Sequence, residues 1–337
     1  MNRQNISFLF VGLMLGALLT TAAFVGILRG RTDRAGARIV LKLAHVQDQS
    51  HPVHAAMVFM ARRVSELSDG TVEIQIFPNG QLGSESECIE QVQRGALAIT
   101  KTSAAAMEGF VPGMAVFSLP YLFRDNQHYW KVLNGPIGRE MLAAGDAVGM
   151  HGLCYYDAGS RSFYTIDKPI LAPSDLRGMK IRVMQSRIAM DMITTMGGAP
   201  TPIPFGELYT ALQQRMVDGA ENNPPSFLSS RHYEAAKNFS LDEHARVPDV
   251  VIFSRVIWTD LGPQVQAWIS QAAEESVEFQ RKLWQEKTQE SLDALAKAGV
   301  QIVRPNPKAF EKASAPLLES LAETPIGRMA KQIKETR

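Results

Sequence analysis

Residues 72–87 read VEIQIFPNGQLGSESE, and this stretch decides the fold class. Its first part alternates apolar and polar side chains, which predicts a strand with one buried face. The Pro78-Asn79-Gly80 turn ends that strand. Ser84 and Glu87 then have the spacing of a capping box, which predicts a helix that runs to Gly95. A strand followed at once by a helix is the unit of an α/β protein.

Strands and helices continue to alternate on both sides of this stretch. The other predicted elements are strands at 39–45, 97–100, 161–165, 179–183, 217–222 and 250–258, and helices at 53–69, 207–216 and 263–299. Their short connections predict two α/β regions, each with a parallel sheet and helices on its faces. Because ligands of such sheets bind at the carboxyl ends of the strands, we expect a ligand cleft between the two regions.

The composition is that of an ordinary globular protein with room for two domains. The chain has 337 residues, of which 45% are hydrophobic and 20% are charged. Its 35 basic and 34 acidic side chains leave a formal net charge of +1, too little to drive binding to a nucleic-acid backbone. Two cysteines are too few for a disulfide framework. We interpret Cys88 and Cys154 as small buried residues and leave a single bridge between them open.

Residues 1–38 predict export from the cytoplasm. The chain has no charged side chain from Ile6 to Leu28, and arginines flank this run on both sides. An apolar run of this length fits a long signal peptide and also a membrane anchor. Cleavage near Ala22 or Ala23 and retention as an N-terminal anchor therefore both stay open. In either case we expect the rest of the chain in the periplasm.

The sequence lacks the short motifs of common hydrolases, zinc peptidases and nucleotide-binding proteins. His45, His51 and His54 lie close together, but no further ligand follows at the spacing of a metal site. We therefore predict no metal and no cofactor, and the missing motifs leave open a catalytic triad assembled from residues distant in sequence.

Two arginines and an amide lie at predicted strand ends of the second region. In the strand at 179–183, Lys180 and Arg182 share the face opposite the apolar side chains, so we expect the Arg182 guanidinium at the cleft. A guanidinium matches a carboxylate with two parallel hydrogen bonds. A solvated arginine paired with an aspartate is the alternative. Together with Arg161 and Asn222, Arg182 suits a small organic anion better than a metal or a nucleotide.

Several ordered segments carry a resemblance to a known family. They read GQLG at 80–83, GSRSFY at 159–164, PSDLRGMKIRV at 173–183, PTP at 200–202, FGELYTALQ at 205–213 and DGAENN at 218–223. In this order and spacing they resemble the extracytoplasmic solute-binding proteins of TRAP transporters, the DctP type, over all residues after 38. The resemblance implies a binding protein, not an enzyme, that delivers a small organic acid to the membrane permease subunits of the transporter.

The resemblance also implies the fold, an α/β periplasmic binding protein with two lobes, a ligand cleft between them and a long helix that spans both. We expect lobe I to comprise 39–159 and 248–287, and lobe II to comprise 160–247 and 288–337. The acid is expected to dock on lobe II, and lobe I to close over its far end.

The resemblance further implies roles for single residues. Arg182 matches the arginine that clamps the ligand carboxylate, Arg161 a second arginine in the cleft, and Asn222 the asparagine that helps to hold the clamp. The runs at 156–164 and 221–227 resemble the branch that handles sugar acids such as hexuronates or keto-gulonates. By that likeness, the residues expected to contact sugar hydroxyls are His45, Glu85, Lys101 and Asp249. A purely structural role stays open for each of the last three.

Three alternatives to a sugar-acid-binding protein stay open. In the first, the same kind of binding protein has a four-carbon dicarboxylate or a keto acid as its ligand. An exported sugar-acid lyase or isomerase would use His45 and Glu85 as acid and base in the second. The third is a membrane-tethered ligand sensor.

Overall fold

The computed structural model describes residues 38–336, which form two α/β lobes with one mixed β-sheet each. The predicted export segment lies outside the described residues, apart from Arg38. Within the described range, no helix has both the length and the apolar character needed to cross a membrane.

Eleven strands occur within residues 38–336. They are β1 (Ile39–Ala44), β2 (Val72–Phe77), β3 (Ile99–Ser103), β4 (Met150–Tyr156), β5 (Arg161–Thr165), β6 (Lys180–Val183), β7 (Ala199–Pro202), β8 (Gly219–Asn222), β9 (Asn238–Ala245), β10 (Asp249–Ser254) and β11 (Gln301–Val303).

Twelve α-helices accompany these strands in the same range. They are α1 (Pro52–Leu67), α2 (Glu85–Gln93), α3 (Ala104–Met107), α4 (Asn126–Leu133), α5 (Pro136–Ala144), α6 (Arg187–Thr195), α7 (Leu208–Gln213), α8 (Pro224–Ser229), α9 (Arg255–Asp260), α10 (Pro263–Lys297), α11 (Pro307–Leu321) and α12 (Pro325–Glu335).

Local sequence signals explain where several helices begin. The predicted capping box starts α2, because Ser84 Oγ accepts from the Glu87 N–H and the Glu87 carboxylate accepts from the Ser84 N–H at 2.8 Å. Helices α1 and α10 begin at Pro52 and Pro263, at a position where the missing N–H would have no partner within the helix.

The first sheet has the strand order β2-β1-β3-β10-β4. Strand β1 runs parallel to β2 and β3, as the alternation around 72–87 predicts. Strand β10 runs antiparallel to both of its neighbours. The second sheet has the order β11-β9-β5-β8-β6-β7, and there β5 runs antiparallel to β8 and β9.

The prediction of purely parallel sheets is therefore wrong. Its error has a topological cause, because β5 and β10 are the strands by which the chain enters a lobe from the other lobe. Each begins at the cleft and runs away from it, whereas β3 and β6 run towards it. The two strands that enter a lobe from the other lobe therefore run antiparallel to their neighbours. A prediction based on βαβ units, which produce parallel pairs, does not account for such strands.

Three connections join the lobes. The chain passes from β4 to β5, from β9 to β10, and from the first sheet to β11 by way of α10. Helix α10 contacts α1 and β4 of the first lobe and α8 of the second. Its Trp284 packs in the core under the first sheet, and its Leu295 packs in the core under the second. The long helix thus spans both lobes, as the family resemblance implies.

The two C-terminal helices contact different lobes. Helix α11 packs against α6 and β9 of the second lobe, whereas α12 packs against residues 112–118 of the first. Arg124 of the first lobe donates to the Lys334 carbonyl at 2.7 Å, at the end of α12.

Two element boundaries differ from the prediction. The expected strand at 250–258 ends at Ser254, whose side chain caps α9. The sequence does not show this boundary, because a short apolar run fits a strand and a helix equally well. The expected helix at 207–216 is α-helical only over Leu208–Gln213, and Arg215 after it has a left-handed backbone with φ of 54°. Cys88 and Cys154 are both buried free thiols, so no bridge joins them.

Candidate functional site

A cavity lies between the lobes, where the carboxyl ends of β3, β6 and β8 meet the first residues of β5 and β10. It encloses about 430 Å³ of empty space, its open mouth included. Ala158 and Val247, on two of the segments that connect the lobes, form part of its wall. Six of the seven predicted site residues line it, namely Glu85, Lys101, Arg161, Arg182, Asn222 and Asp249.

Arg182 reaches this cavity from an inner strand. Its strand β6 lies between β7 and β8, and the side chain is 2% exposed. Nε donates to the Ile203 carbonyl at 2.8 Å, and the guanidinium lies 5.9 Å from the centre of the Phe205 ring. Nη1 is buried and has no hydrogen-bond partner among the described residues. Burial lowers the pKa of Arg182, because its charge loses hydration.

Arg161, the first residue of β5, lies in a different environment. Its Nε and Nη2 donate to the Glu221 carboxylate, and Nη1 donates to Asn222 Oδ1 at 3.0 Å. Burial opposes ionisation of Glu221, but Arg161 and His244 outweigh this effect and lower the pKa of Glu221 to about 2. The positive charge of Arg161 is therefore neutralised within lobe II.

A histidine extends this ion pair away from the cavity. His244 Nδ1 lies 2.8 Å from Asp242 Oδ2, and its Nε2 lies 3.6 Å from Glu221 Oε2. Burial alone would lower the pKa of His244, but the two carboxylates raise it to about 9. Asp242, His244, Glu221 and Arg161 thus form a buried row of alternating charges.

Lobe I contributes a second charged cluster at the cavity. Lys101 Nζ donates to Asp249 Oδ2 at 3.0 Å and lies 3.8 Å from Glu85 Oε1. Glu85 Oε1 also accepts from the Ser103 N–H at 3.0 Å. Burial raises the pKa of Asp249 to about 6, although Lys101 acts in the opposite direction. Lys101 is therefore compensated within the protein, and the cluster offers several hydrogen-bonding atoms in a small space.

His45 is the one predicted site residue that is not part of the cavity wall. Its ring is buried, with Nε2 3.0 Å from His54 Nδ1, and its Nδ1 accepts from the Gln47 N–H at 3.2 Å. Burial, followed by the positive charge of Lys101, lowers the pKa of His45 to about 3. The cavity wall is formed there by Gln47 and His51 instead.

Sequence reasoning missed Glu221 and His244. A charged residue directly before Asn222 on a buried strand is a signal that points to Glu221. For His244 the sequence gives no signal, because its contact with Glu221 depends on how β8 and β9 flank β5. Within residues 38–336, no three His, Cys, Asp or Glu side chains are arranged to hold a metal ion.

The charges around the cavity indicate which kind of molecule fits it. Of the three cations that line it, Lys101 and Arg161 have carboxylate partners, whereas Arg182 has none among the described residues. A buried unpaired guanidinium is stabilised by an anion that enters the cavity. The arrangement therefore suits a small molecule with one carboxylate and with polar groups at its other end.

Comparison with known proteins identifies the family. The model of the family described as bacterial extracellular solute-binding protein, family 7 (DctP), matches residues 43–324, which is most of the chain. The chain belongs to the DctP family. It is therefore an extracytoplasmic solute-binding protein and not an enzyme, as the resemblance in the sequence predicts, and that resemblance is confirmed.

Solved structures of TRAP periplasmic solute-binding proteins share this fold. A protein from Bradyrhizobium in complex with α/β-D-galacturonate is 42% identical, with a TM-score of 0.85 over 88% of this chain and 99% of its own. One from Xanthobacter autotrophicus with β-D-galacturonate is 39% identical, with a TM-score of 0.85 over 88% and 100%. One from Pseudomonas putida with D-glucuronate is 35% identical, with a TM-score of 0.84 over 88% and 96%. The predicted two-lobed fold is thereby confirmed.

Proposed function

We propose that this DctP-family protein captures a hexuronate, such as galacturonate or glucuronate, and delivers it to the membrane permease subunits of a TRAP transporter. The observation that carries the proposal is the buried guanidinium of Arg182, whose Nη1 has no partner among the described residues. In the proposed complex Arg182 binds the carboxylate, and the Lys101–Asp249–Glu85 cluster binds hydroxyl groups at the other end. The uronates bound by the three similar proteins support this ligand class.

The pairing of charges favours a sugar acid over a four-carbon dicarboxylate. A dicarboxylate has two negative ends and is stabilised best by two cations that lack other partners. In this cavity Lys101 is bound to Asp249 and Arg161 to Glu221. A second ligand carboxylate would have to displace one of these acids or be buried beside it, and like charges at such distances repel.

We also propose how the lobes act together. The acid docks on lobe II (160–247 and 288–337) through Arg182, beside the Arg161–Asn222 pair, and α12 at the end of this lobe reaches across to lobe I. Lobe I (39–159 and 248–287) then contributes the contacts of its cluster only when the lobes are together. Because those contacts exist only in the shut form, ligand binding favours closure.

The site of action in the cell follows from the family and from the predicted export segment. We propose that the protein works in the periplasm, either free after cleavage near Ala22 or Ala23, or tethered to the inner membrane by residues 6–28. Mass spectrometry of the mature N-terminus decides between the two forms. Retention of the segment in a protein that responds to ligand without any permease would favour the sensor alternative.

A calorimetric ligand series tests the proposed function. The series comprises D-galacturonate, D-glucuronate, D-erythronate, succinate, malate and pyruvate. We expect micromolar or tighter binding of at least one hexuronate, with binding at least tenfold weaker for succinate, malate and pyruvate. Tighter binding of a dicarboxylate or of pyruvate than of every hexuronate would contradict the proposal. Recovery of each acid unchanged after long incubation is the expected result for a binding protein.

A further inference from the structure

A carboxylate of lobe I caps a helix of lobe II. Glu108 follows α3 of the first lobe, and its carboxylate accepts from Ser186 Oγ at 2.6 Å and from the Arg187 N–H at 3.0 Å. Ser186 is the N-cap residue of α6, so Glu108 binds at the end of a helix where free N–H groups favour a negative charge. The Arg187 guanidinium binds Asp191 instead.

The segment that Glu108 binds continues directly from the strand of Arg182. Met184, on this segment, lines the cavity, and the next residue, Gln185, accepts from Ser86 Oγ of lobe I at 2.7 Å. Helix α6 itself packs against residues 112–118 of the first lobe. Two side chains of lobe I thus contact the segment of lobe II that links the cavity wall to α6. Neither Glu108 nor the Arg187 N–H lines the cavity.

We propose that Glu108 is a closure latch, a positioning residue that holds lobe I against the segment after Arg182 and so retains a bound solute without touching it. The contact joins atoms of different lobes and is lost when the lobes separate. Its free energy therefore adds to the stability of the closed form alone, which slows solute release and leaves docking unchanged. The inference rests on the proposed function only for the choice of the test ligand.

The test compares Glu108→Ala and Glu108→Gln with Glu140→Ala, which removes an exposed carboxylate from the surface of lobe I. Calorimetry and stopped-flow release are measured with D-galacturonate and with D-glucuronate. We expect Kd to rise about five- to thirtyfold in Glu108→Ala, the range given by loss of one such interaction, with nearly all of the change in the dissociation rate. Glu108→Gln keeps one acceptor oxygen for the Arg187 N–H, so its effect should be smaller.

Glu140→Ala should leave both constants unchanged. Equal dissociation rates in Glu108→Ala and Glu140→Ala would overturn the latch. A rise in Kd that is matched by an equal loss of stability of the ligand-free protein, measured by its melting temperature, would also overturn it. A contact between the lobes does not stabilise each lobe by itself.

A double-mutant cycle with Ser186→Ala separates the latch from simple capping of α6. Ser186 also accepts from the Ala189 N–H within its own lobe, and the cycle cancels that contribution. We expect the effects of Glu108→Ala and Ser186→Ala on Kd to be coupled by at least threefold. Additive effects would overturn the proposal.

A wild-type protein that binds neither uronate would refute the proposed function and would leave the latch to a second measurement. In that case the fraction of closed molecules in the ligand-free proteins, measured by small-angle X-ray scattering, decides. A smaller closed fraction in Glu108→Ala than in Glu140→Ala supports the latch, and equal fractions contradict it.

Discussion

Replacing Arg182 with methionine tests the cationic centre of the site most directly. Arg182 is 2% exposed. Its guanidinium has no carboxylate partner among the described residues, and its Nη1 has no hydrogen-bond partner there. Breaking a buried charge pair by removing one partner costs about 3–5 kcal/mol, and about 1.4 kcal/mol corresponds to a factor of ten in Kd. We therefore expect Arg182→Met to weaken binding of the preferred uronate by roughly two to three and a half orders of magnitude.

The same substitution should not destabilise the ligand-free protein. Burial lowers the pKa of Arg182, so its charge is held in the cavity wall at a cost in free energy. Methionine keeps an apolar stem of similar length and removes that cost. The lost hydrogen bond to the Ile203 carbonyl acts in the opposite direction by about 1 kcal/mol. We therefore expect a melting temperature equal to that of the wild type or a few degrees above it.

Titration calorimetry with the preferred uronate and thermal unfolding without ligand measure both effects. Arg182→Lys keeps the charge and loses the planar fork, so we expect a loss of about ten- to a hundredfold. The matched control is Arg215→Met, which removes an exposed arginine of lobe II bound to Asp167 and should leave the affinity unchanged. Affinity of Arg182→Met within threefold of wild type would refute the reasoning. A loss of affinity matched by an equal loss of ligand-free stability would also refute it.

Two further predictions concern the charged row behind Arg161. Glu221→Gln leaves the buried Arg161 without a carboxylate, so we expect the free energy of unfolding, measured by chemical denaturation, to fall by about 3–5 kcal/mol; a fall below about 1 kcal/mol would contradict a stabilising ion pair. His244, with its pKa raised to about 9, stabilises the fold fully below its unfolded pKa of about 6.5, and this stabilisation is lost as the pH rises through 9. The buried His45, His51 and His232 have lowered pKa values and titrate below this window. The wild type should therefore lose stability between pH 6.5 and 9, and His244→Gln should lose much less. Equal slopes of unfolding free energy against pH in the two proteins would contradict a protonated His244.

Elements with a strong local pattern could be predicted from the sequence. Strand β2 has one face buried in the core, so its side chains alternate, and the capping box of α2 needs only residues three positions apart. Arg182 could be placed at the cleft for the same reason, because alternation along β6 fixes the face on which a side chain lies. These features depend on a few neighbouring residues and not on the rest of the chain.

The partners of the site residues could not be predicted, because they come from strands distant in sequence. Arg161 meets Glu221 only because β5 pairs with β8 in the register that places Ser162 opposite Asn222. Periodicity indicates which face of a strand is buried but not which strand lies beside it. The resemblance implies only that Arg161 is a second arginine in the cleft, whereas the structure pairs it with Glu221 of its own lobe.

This internal pairing explains how a cavity with three cations stays stable without a ligand. Three uncompensated charges would repel one another and would each require desolvation, so a protein without its ligand would lose much of its stability. Two of the charges are held by Glu221 and Asp249, and the cost is confined to Arg182. One carboxylate then completes the charge balance of the cavity, while a second one meets acids that already have partners. We therefore expect discrimination against dicarboxylates to reside in Glu221 and Asp249, which would repel a second carboxylate, as much as in Arg182, which would attract the first.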